Sequence, residues 1–173
     1  MVLSSQSFSP NAGEGLFLLQ GRQRVHLSLT GHKEVVMSPR PPILINRLDA
    51  DRLQRLIDQA DDKDRFVADC LEEELERGEV VDPEEIPDDV VSMNSQVQFT
   101  DLNRNRQIIR TLVYPHALAK TEDGISVMAP IGAGLIGLRI GDVIDWPLPG
   151  GGETKLRIDA ILWQPEREGQ FHR

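Results

Sequence analysis

The chain has 173 residues, a formal net charge of −9 and a single cysteine, Cys70. This length suits one domain or one domain with an appendage, and a lone cysteine excludes an internal disulfide. Four scattered histidines lack metal-ligand spacing, and no apolar run approaches the roughly 20 residues that a membrane span needs. These features predict a protein of the reducing cytosol with no metal, no cofactor and no membrane partner.

Most of the negative charge lies between Asp49 and Asp89, where 17 acidic and 5 basic side chains give a net charge of −12. Phosphate groups are bound through Lys and Arg, so this acidic segment argues against direct sequence-specific binding of nucleic acid. A basic protein surface or a cation is a better match for it. The alternative is that these acids only solvate the outer faces of helices.

The first segment, residues 1–42, contains Ser, Gly, Gln and Pro with weak periodicity, and we expect it to be disordered or a non-native extension. The tripeptide Lys33-Glu34-Val35 can be encoded by a sequence that contains a bacterial ribosome-binding site. That site would lie just ahead of Met37, and we therefore hypothesise that translation starts at Met37. The intact mass of protein made from its own locus tests this hypothesis, which retention of Met1 would contradict.

Two amphipathic helices are predicted within residues 43–80, joined by the polar link 59–64. Asp49 is a suitable N-cap for the first helix, whose apolar residues recur at helical spacing. The second helix follows Asp64 and ends at Gly78. Each helix has about 12 residues and is therefore roughly 18 Å long. Together they predict a short antiparallel helical hairpin.

The tip of this predicted hairpin carries three aspartates, Asp61, Asp62 and Asp64. Clustered carboxylates suit Mg²⁺, but proteins usually hold this ion with one or two carboxylates together with substrate phosphates. In the simpler interpretation Asp64 caps the second helix and the other two lie in a solvated turn. In the functional interpretation the three acids contact a partner or its metal ion.

From residue 81 onward the apolar pattern is that of a β-domain, with period-two alternation in several runs. We predict an antiparallel sheet of about five strands, crossed by one short helix and followed by a tail at residues 164–173. The strands are expected within residues 91–100, 107–114, 125–127, 143–146 and 154–163. Helices in front of such a sheet give an α+β fold class.

The stretch ISVMAPIGAGLIGLRIGDVIDWPLPGGG, residues 125–152, contains the short helix, which Pro130 begins and Gly141 ends about two turns later. Three of its glycines match the dinucleotide-binding pattern G-x-G-x-x-G, namely Gly132, Gly134 and Gly137. That pattern requires a full-length helix inside a parallel βαβ unit, which this stretch lacks. We interpret the glycines as positions where a short helix packs closely on the sheet.

The segment APIGAGLIGLRIGDVIDWPLPGG resembles the carboxy-terminal signature of the Gre transcript-cleavage factors, S-P-[IM]-x-x-A-L-L-G-x-x-x-G-D with a later L-P-G-G turn. With DPEEIPDDVVSMNSQVQF and RTLVYP upstream, the chain is most similar to the Rnk family, the regulators of nucleoside diphosphate kinase. This resemblance runs from about Pro42 to the carboxy terminus. It implies a shortened helical hairpin and an FKBP-like domain in residues 81–173.

The resemblance also implies a non-enzymatic protein that binds RNA polymerase. In Gre factors a longer hairpin enters the secondary channel and helps hold a catalytic Mg²⁺. A short hairpin would block the entrance, antagonise Gre-type factors and so alter nucleoside diphosphate kinase levels. The contacts implied are the tip acids Asp61, Asp62 and Asp64 together with Pro130. Pro130 alone matches the D-S-P docking loop of the Gre factors.

Other functional classes stay open at this point. A genuine transcript-cleavage factor would use the tip aspartates in metal-ion catalysis, although the short hairpin argues against it. A binding module unrelated to polymerase would fail to co-purify with polymerase at low salt. Prolyl isomerase activity is disfavoured because two tryptophans, one tyrosine and five phenylalanines are few to line such a pocket.

Overall fold

The computed structural model describes residues 40–172, so the predicted extension lies outside the described residues except for its last three, and Met37 is not among them. The elements follow in the order β1 (Leu44–Asn46), α1 (Arg47–Asp58), α2 (Arg65–Arg77), β2 (Glu79–Val81), β3 (Gln96–Asp101), β4 (Arg106–Val113), β5 (Gly124–Ser126), α3 (Pro130–Ala133), β6 (Val143–Pro147) and β7 (Glu153–Trp163). Short 3₁₀ helices occupy Pro83–Glu85, Pro115–Lys120 and Glu166–Glu168.

A five-stranded sheet in the order β5-β4-β3-β7-β6 forms the larger part of the fold. β3 pairs antiparallel with β4 and β7, and β6 pairs antiparallel with β7. The predicted α+β class with about five strands is confirmed. The prediction of a wholly antiparallel sheet is wrong at one edge, where Leu112 of β4 and Ile125 of β5 pair in parallel. Residues 114–123 carry the chain back along β4, so that β5 runs in the same direction.

A second, two-stranded sheet closes the base of the helix pair formed by α1 and α2. β1 and β2 pair in parallel, with Leu44 opposite Glu79. α1 leaves directly from β1, α2 leads directly to β2, and the two helices pack against each other. The amide of Leu44 donates to the carbonyl of Gly137 over 3.1 Å, which attaches this base to the larger domain.

The start of α1 differs from the prediction. Its N-cap is Asn46, whose side-chain oxygen accepts a hydrogen bond of 2.7 Å from the amide of Asp49. Asp49 is therefore inside the first turn, and its side chain is buried there. The predicted apolar face is present, because Leu53 and Ile57 are both buried against the core.

The central stretch is less helical than predicted. α3 ends at Ala133, well before Gly141, because Gly137 adopts a φ of 74° that an α-helix does not allow. The chain then runs beside residues 89–91, and Val91 donates to the carbonyl of Leu138 over 2.8 Å. Since this hydrogen bond and the turn after it occupy residues 91–95, β3 begins at Gln96 and not at the predicted residue 91.

The three glycines of the G-x-G-x-x-G pattern lie at close packing contacts. A Cβ atom at Gly132 would lie 2.0 Å from the carbonyl oxygen of Ser126, and one at Gly134 would lie 2.7 Å from Cδ2 of Trp146. Gly137 has a positive φ and lies against the start of β1. These contacts confirm the packing interpretation, since the glycines face protein atoms.

One hydrophobic core continues from the helix pair through α3 to one face of the five-stranded sheet. Free Cys70 is buried in it and packs there as a small apolar residue. Among residues 40–172 no helix is both long and apolar enough to cross a membrane. The largest fully buried side chains are Trp146, Phe99, Ile43, Ile45, Leu53, Leu71, Met93, Leu112, Leu135, Leu138, Ile144 and Leu156.

Candidate functional site

The tip of the helix pair is the compact turn 59–64. The side chains of Asp61 and Asp62 are exposed there. The ammonium group of Lys63 lies 3.2 Å from Oδ2 of Asp61, and its hydrogen bond lowers the pKa of this carboxyl group. The tip therefore presents the ionised carboxylate of Asp61 to solvent at neutral pH, beside the exposed side chain of Asp62.

Asp64 has a different environment from the other two aspartates. It occupies the N-cap position of α2, as the simpler interpretation predicts, although its side chain makes no capping hydrogen bond. Instead, Asp64 lines a cavity of about 390 Å³ between the helix pair and the sheet domain. Leu56 from α1 and Ala129 from the loop before α3 line the same cavity.

Pro130 is the first residue of α3, and the loop before it is held in a tight turn. The hydroxyl of Ser126 accepts from the amide of Met128 over 3.1 Å, and its carbonyl accepts from the amide of Ala129 over 2.9 Å. This turn places Met128 and Ala129 in the wall of the cavity that Asp64 lines. The fold therefore brings Asp64 close to the residues that precede Pro130.

Asp61 and Asp62 do not line this cavity, and the described residues offer no preformed site for a metal ion. Between residues 40 and 172, no group of three or more His, Cys, Asp or Glu side chains is arranged to hold one. A metal ion at this tip would need ligands from another molecule, as Mg²⁺ sites that share substrate phosphates do.

A buried polar cluster that sequence reasoning missed joins the helix pair to the sheet domain. The Asp49 carboxylate, 1% exposed, accepts hydrogen bonds from the hydroxyl of Tyr114 (2.6 Å), the side-chain amide of Asn46 (2.9 Å) and the backbone amide of Met93 (3.1 Å). Burial raises the pKa of Asp49 to about 6, although the bonds from Tyr114 and Met93 oppose this shift. The cluster connects the two parts of the fold, and its Asp49 carboxylate binds a proton more tightly than an ordinary aspartate does.

The carboxy-terminal segment extends this cluster. Glu166 accepts hydrogen bonds from the side-chain amide of Asn46 (2.7 Å) and from the hydroxyl of Ser92 (2.6 Å). Buried Gln164 donates to the carbonyls of Pro87 and Val90. The predicted tail at 164–173 is therefore wrong at its start, because these two side chains attach it to the domain.

A buried ion pair fixes α2 against the sheet domain. The Glu74 side chain is 2% exposed, and Nη1 of Arg40 lies 2.9 Å from its Oε1 atom, while Arg77 pairs with its other oxygen. The guanidinium carbon of Arg40 lies 5.5 Å from the ring centroid of Trp146 in β6. The acidic composition of α2 gave no sign that Glu74, among several exposed glutamates, is buried.

Comparison with known proteins identifies the family. Residues 86–162 match the model of the carboxy-terminal domain of the transcription elongation factors GreA and GreB, and residues 41–81 match the Rnk amino-terminal model. The regulator of nucleoside diphosphate kinase from Escherichia coli K12 is 46% identical over 132 residues, which are 76% of this chain and 97% of that protein. The chain belongs to the family of regulators of nucleoside diphosphate kinase.

Two further relatives extend the similarity to the Gre factors. A GreA/GreB transcription elongation factor structure from Nitrosomonas europaea superposes with a TM-score of 0.56 and 44% identity, and covers 72% of this chain and 100% of that one. GreA of Clostridium botulinum strain Alaska E43 is 35% identical over 81 residues, 47% of this chain and 51% of that protein. The family member described here therefore has a Gre-like α+β fold.

Proposed function

We propose that this protein is a non-enzymatic transcription regulator that docks at the secondary channel of RNA polymerase and antagonises Gre-type factors. The observation that carries the proposal is the match of residues 86–162 to a transcription elongation factor domain, placed behind a helix pair with an exposed acidic tip. The sheet domain would dock as an FKBP-like module, and the effect on nucleoside diphosphate kinase levels would follow from altered transcription in the cytoplasm.

The length of the helix pair supports antagonism in preference to cleavage. α1 has 12 residues and α2 has 13, so each extends roughly 18–20 Å. A tip at this distance would occupy the channel entrance without reaching a catalytic metal ion. The protein would then exclude a Gre factor by occupying its binding site.

Four residues would make the contacts with polymerase. The exposed carboxylates of Asp61 and Asp62 suit a basic rim, since opposite charges steer protein association. Asp64 and Pro130 would act together, because the cavity that Asp64 lines is bordered by the loop before Pro130. Met128 and Ala129 would form the remainder of this docking surface in place of the acid and serine of the Gre pattern.

A competition experiment tests the proposal directly. Labelled Gre factor bound to bacterial core RNA polymerase is titrated with the full chain, and we expect displacement. The triple variant Asp61→Asn, Asp62→Asn, Asp64→Asn and the variant Pro130→Ala should displace less. The matched control, Glu72→Gln with Glu76→Gln, removes exposed acids of α2 away from the tip and should displace as the unmodified protein does.

The outcomes separate this function from its rivals. Binding to polymerase without displacement of the Gre factor would contradict antagonism. Stimulated RNA cleavage in stalled complexes, lost in the triple aspartate variant, would instead establish a cleavage factor. No binding at low salt would remove polymerase as the partner.

A further inference from the structure

A second cavity, distinct from the one beside Asp64, lies between α1 and the 3₁₀ helix that follows β4. Its volume is about 480 Å³. Small-molecule sites usually measure about 300–1,000 Å³. We name it the Arg52 pocket, after the residue that connects it to the buried Asp49 cluster.

One wall of the Arg52 pocket comes from consecutive turns of α1. Arg52, Arg55 and Leu56 share one face of this helix, because residues three and four apart lie above one another. The position of Arg52 is fixed, since its Nη2 atom donates to the carbonyl of His172 over 3.2 Å. Arg55 is exposed and forms no ion pair within residues 40–172. Two guanidinium groups thus converge on one cavity.

The opposite wall is planar and aromatic. The rings of Tyr114 and His116 stack with centroids 5.9 Å apart and planes 9° apart. The hydroxyl of Tyr114 is already bonded to Asp49, so Tyr114 presents its ring to the pocket. His116 is exposed and offers a flat imidazole, while the side-chain amide of Asn94 adds hydrogen-bonding groups to the lining.

The lining of the pocket differs in charge from its surroundings. It includes two arginines and one histidine, and the carboxylate nearest to Arg52 is the buried Asp49, whose Oδ1 atom lies 3.9 Å from Nη1 of Arg52. The helix pair that borders it belongs to the segment from Asp49 to Asp89, whose net charge is −12. That segment would repel an extended polyanion, whereas a small anion reaches the pocket at a lower electrostatic cost.

We propose that the Arg52 pocket binds a small phosphorylated molecule that carries a planar ring, of the nucleoside phosphate class. The guanidinium groups of Arg52 and Arg55 bind the phosphate oxygens, for which their planar forks are well suited. His116 stacks on the ring, and Asn94 bonds to its edge. This site goes beyond the proposed function, because it requires no contact with polymerase.

The test is a titration of the full chain, labelled with ¹⁵N, with adenosine monophosphate, inorganic phosphate and adenosine. We expect adenosine monophosphate to shift the backbone amide signals of residues 52–56, 94, 114, 116 and 117. Phosphate and adenosine alone should bind at least about tenfold more weakly, since each makes only part of the contacts. Arg55→Gln should weaken nucleotide binding about tenfold, the effect of one lost charge-assisted hydrogen bond.

Control variants make the result decisive. Arg65→Gln removes another exposed arginine, on α2 and outside the pocket, and should leave nucleotide affinity unchanged. Both arginines are exposed, so both variants should keep the dispersed amide spectrum of the folded protein, with changes only near the substituted residue. Absence of shifts at the pocket residues with millimolar nucleotide would overturn the proposal. Equal affinity of Arg55→Gln and the unmodified protein, or equal affinity for phosphate and nucleotide, would also overturn it.

Discussion

The hydroxyl group of Tyr114, directly after β4, donates a hydrogen bond of 2.6 Å to the buried carboxylate of Asp49 in α1. Tyr114 belongs to the sheet domain and Asp49 to the helix pair, so this bond joins the two parts of the described chain. Both side chains are buried, and water does not replace a partner that either one loses. The orientation of the helix pair therefore depends on this contact.

Tyr114→Phe should destabilise the protein by about 1–3 kcal/mol, because a buried carboxylate loses a donor while the ring remains. Urea denaturation measures this loss as a lower midpoint with an unchanged slope. Thr121→Val is a suitable control, since the hydroxyl of Thr121 donates over 3.0 Å to the neutral carbonyl of Ala117. Its loss should be about 0.5–1.5 kcal/mol. A Tyr114→Phe loss no larger than this would show that the donors from Asn46 and Met93 are sufficient for the carboxylate.

The raised pKa of Asp49 predicts a pH dependence of stability. In the folded protein this pKa is about 6, above the ordinary 3.8, so the folded state binds the proton more tightly than the unfolded state. The contribution of Asp49 is therefore most favourable below about pH 4 and declines as the pH rises to about 6, by about 3 kcal/mol. Unfolding free energies measured across this range check the slope.

Asp49→Asn provides the comparison for this slope. Asp101 and Asp159 have lowered pKa values and contribute the opposite slope, but only as the pH falls below about 4. The difference between the unmodified protein and Asp49→Asn isolates Asp49 between pH 4 and 6. If the unfolding free energies of the two proteins change with pH in the same way, the pKa of Asp49 is not raised by burial.

Glu74→Gln should be strongly destabilising, by about 3–5 kcal/mol, since it removes the buried carboxylate that Arg77 pairs with and leaves Arg40 only the exposed Glu73. The matched control is Glu73→Gln. Its side chain is 64% exposed and lies 3.2 Å from the same Arg40 atom, so its contribution is about 0–1 kcal/mol. Thermal unfolding distinguishes the two variants, and similar midpoints would show that burial of Glu74 is unimportant.

Gly134→Ala should cost about 1–3 kcal/mol, because the added Cβ would lie 2.7 Å from Cδ2 of Trp146. The cost should decrease in a Trp146→Leu background, where the indole is absent. A double-mutant cycle measured by denaturation gives this interaction energy. If the two substitutions have additive effects on the unfolding free energy, contact with Trp146 is not the reason why position 134 requires glycine.

Local patterns in the sequence predicted the regular elements of this fold. Helical spacing located Leu53 and Ile57 on the inner face of α1, and period-two alternation located Val97 and Phe99 on the buried face of β3. Such elements follow from where each side chain lies along its own helix or strand. No long-range contact is needed to recognise them.

The remaining features depend on contacts between distant residues. Gly137, whose positive φ prevents a helix from continuing toward Gly141, packs against Ile43 and Leu44 from far earlier in the chain. The partners of Glu166 lie 120 and 74 residues away in the sequence, so the residues next to Glu166 do not indicate that it is bonded. Asn46 was recognisable in part, since it precedes Asp49 by the three residues typical of a helix cap.

The parallel pairing of β1 with β2 has a consequence for how far this protein can reach. The helix pair leaves and re-enters the domain through two hydrogen-bonded strands, and this pairing fixes the position of its base. Each helical residue adds about 1.5 Å, and seven more residues in each helix would move the tip outward by about 10 Å. Insertions near residues 59–64 could thus change how deeply the tip penetrates a partner while the base and its register stay the same.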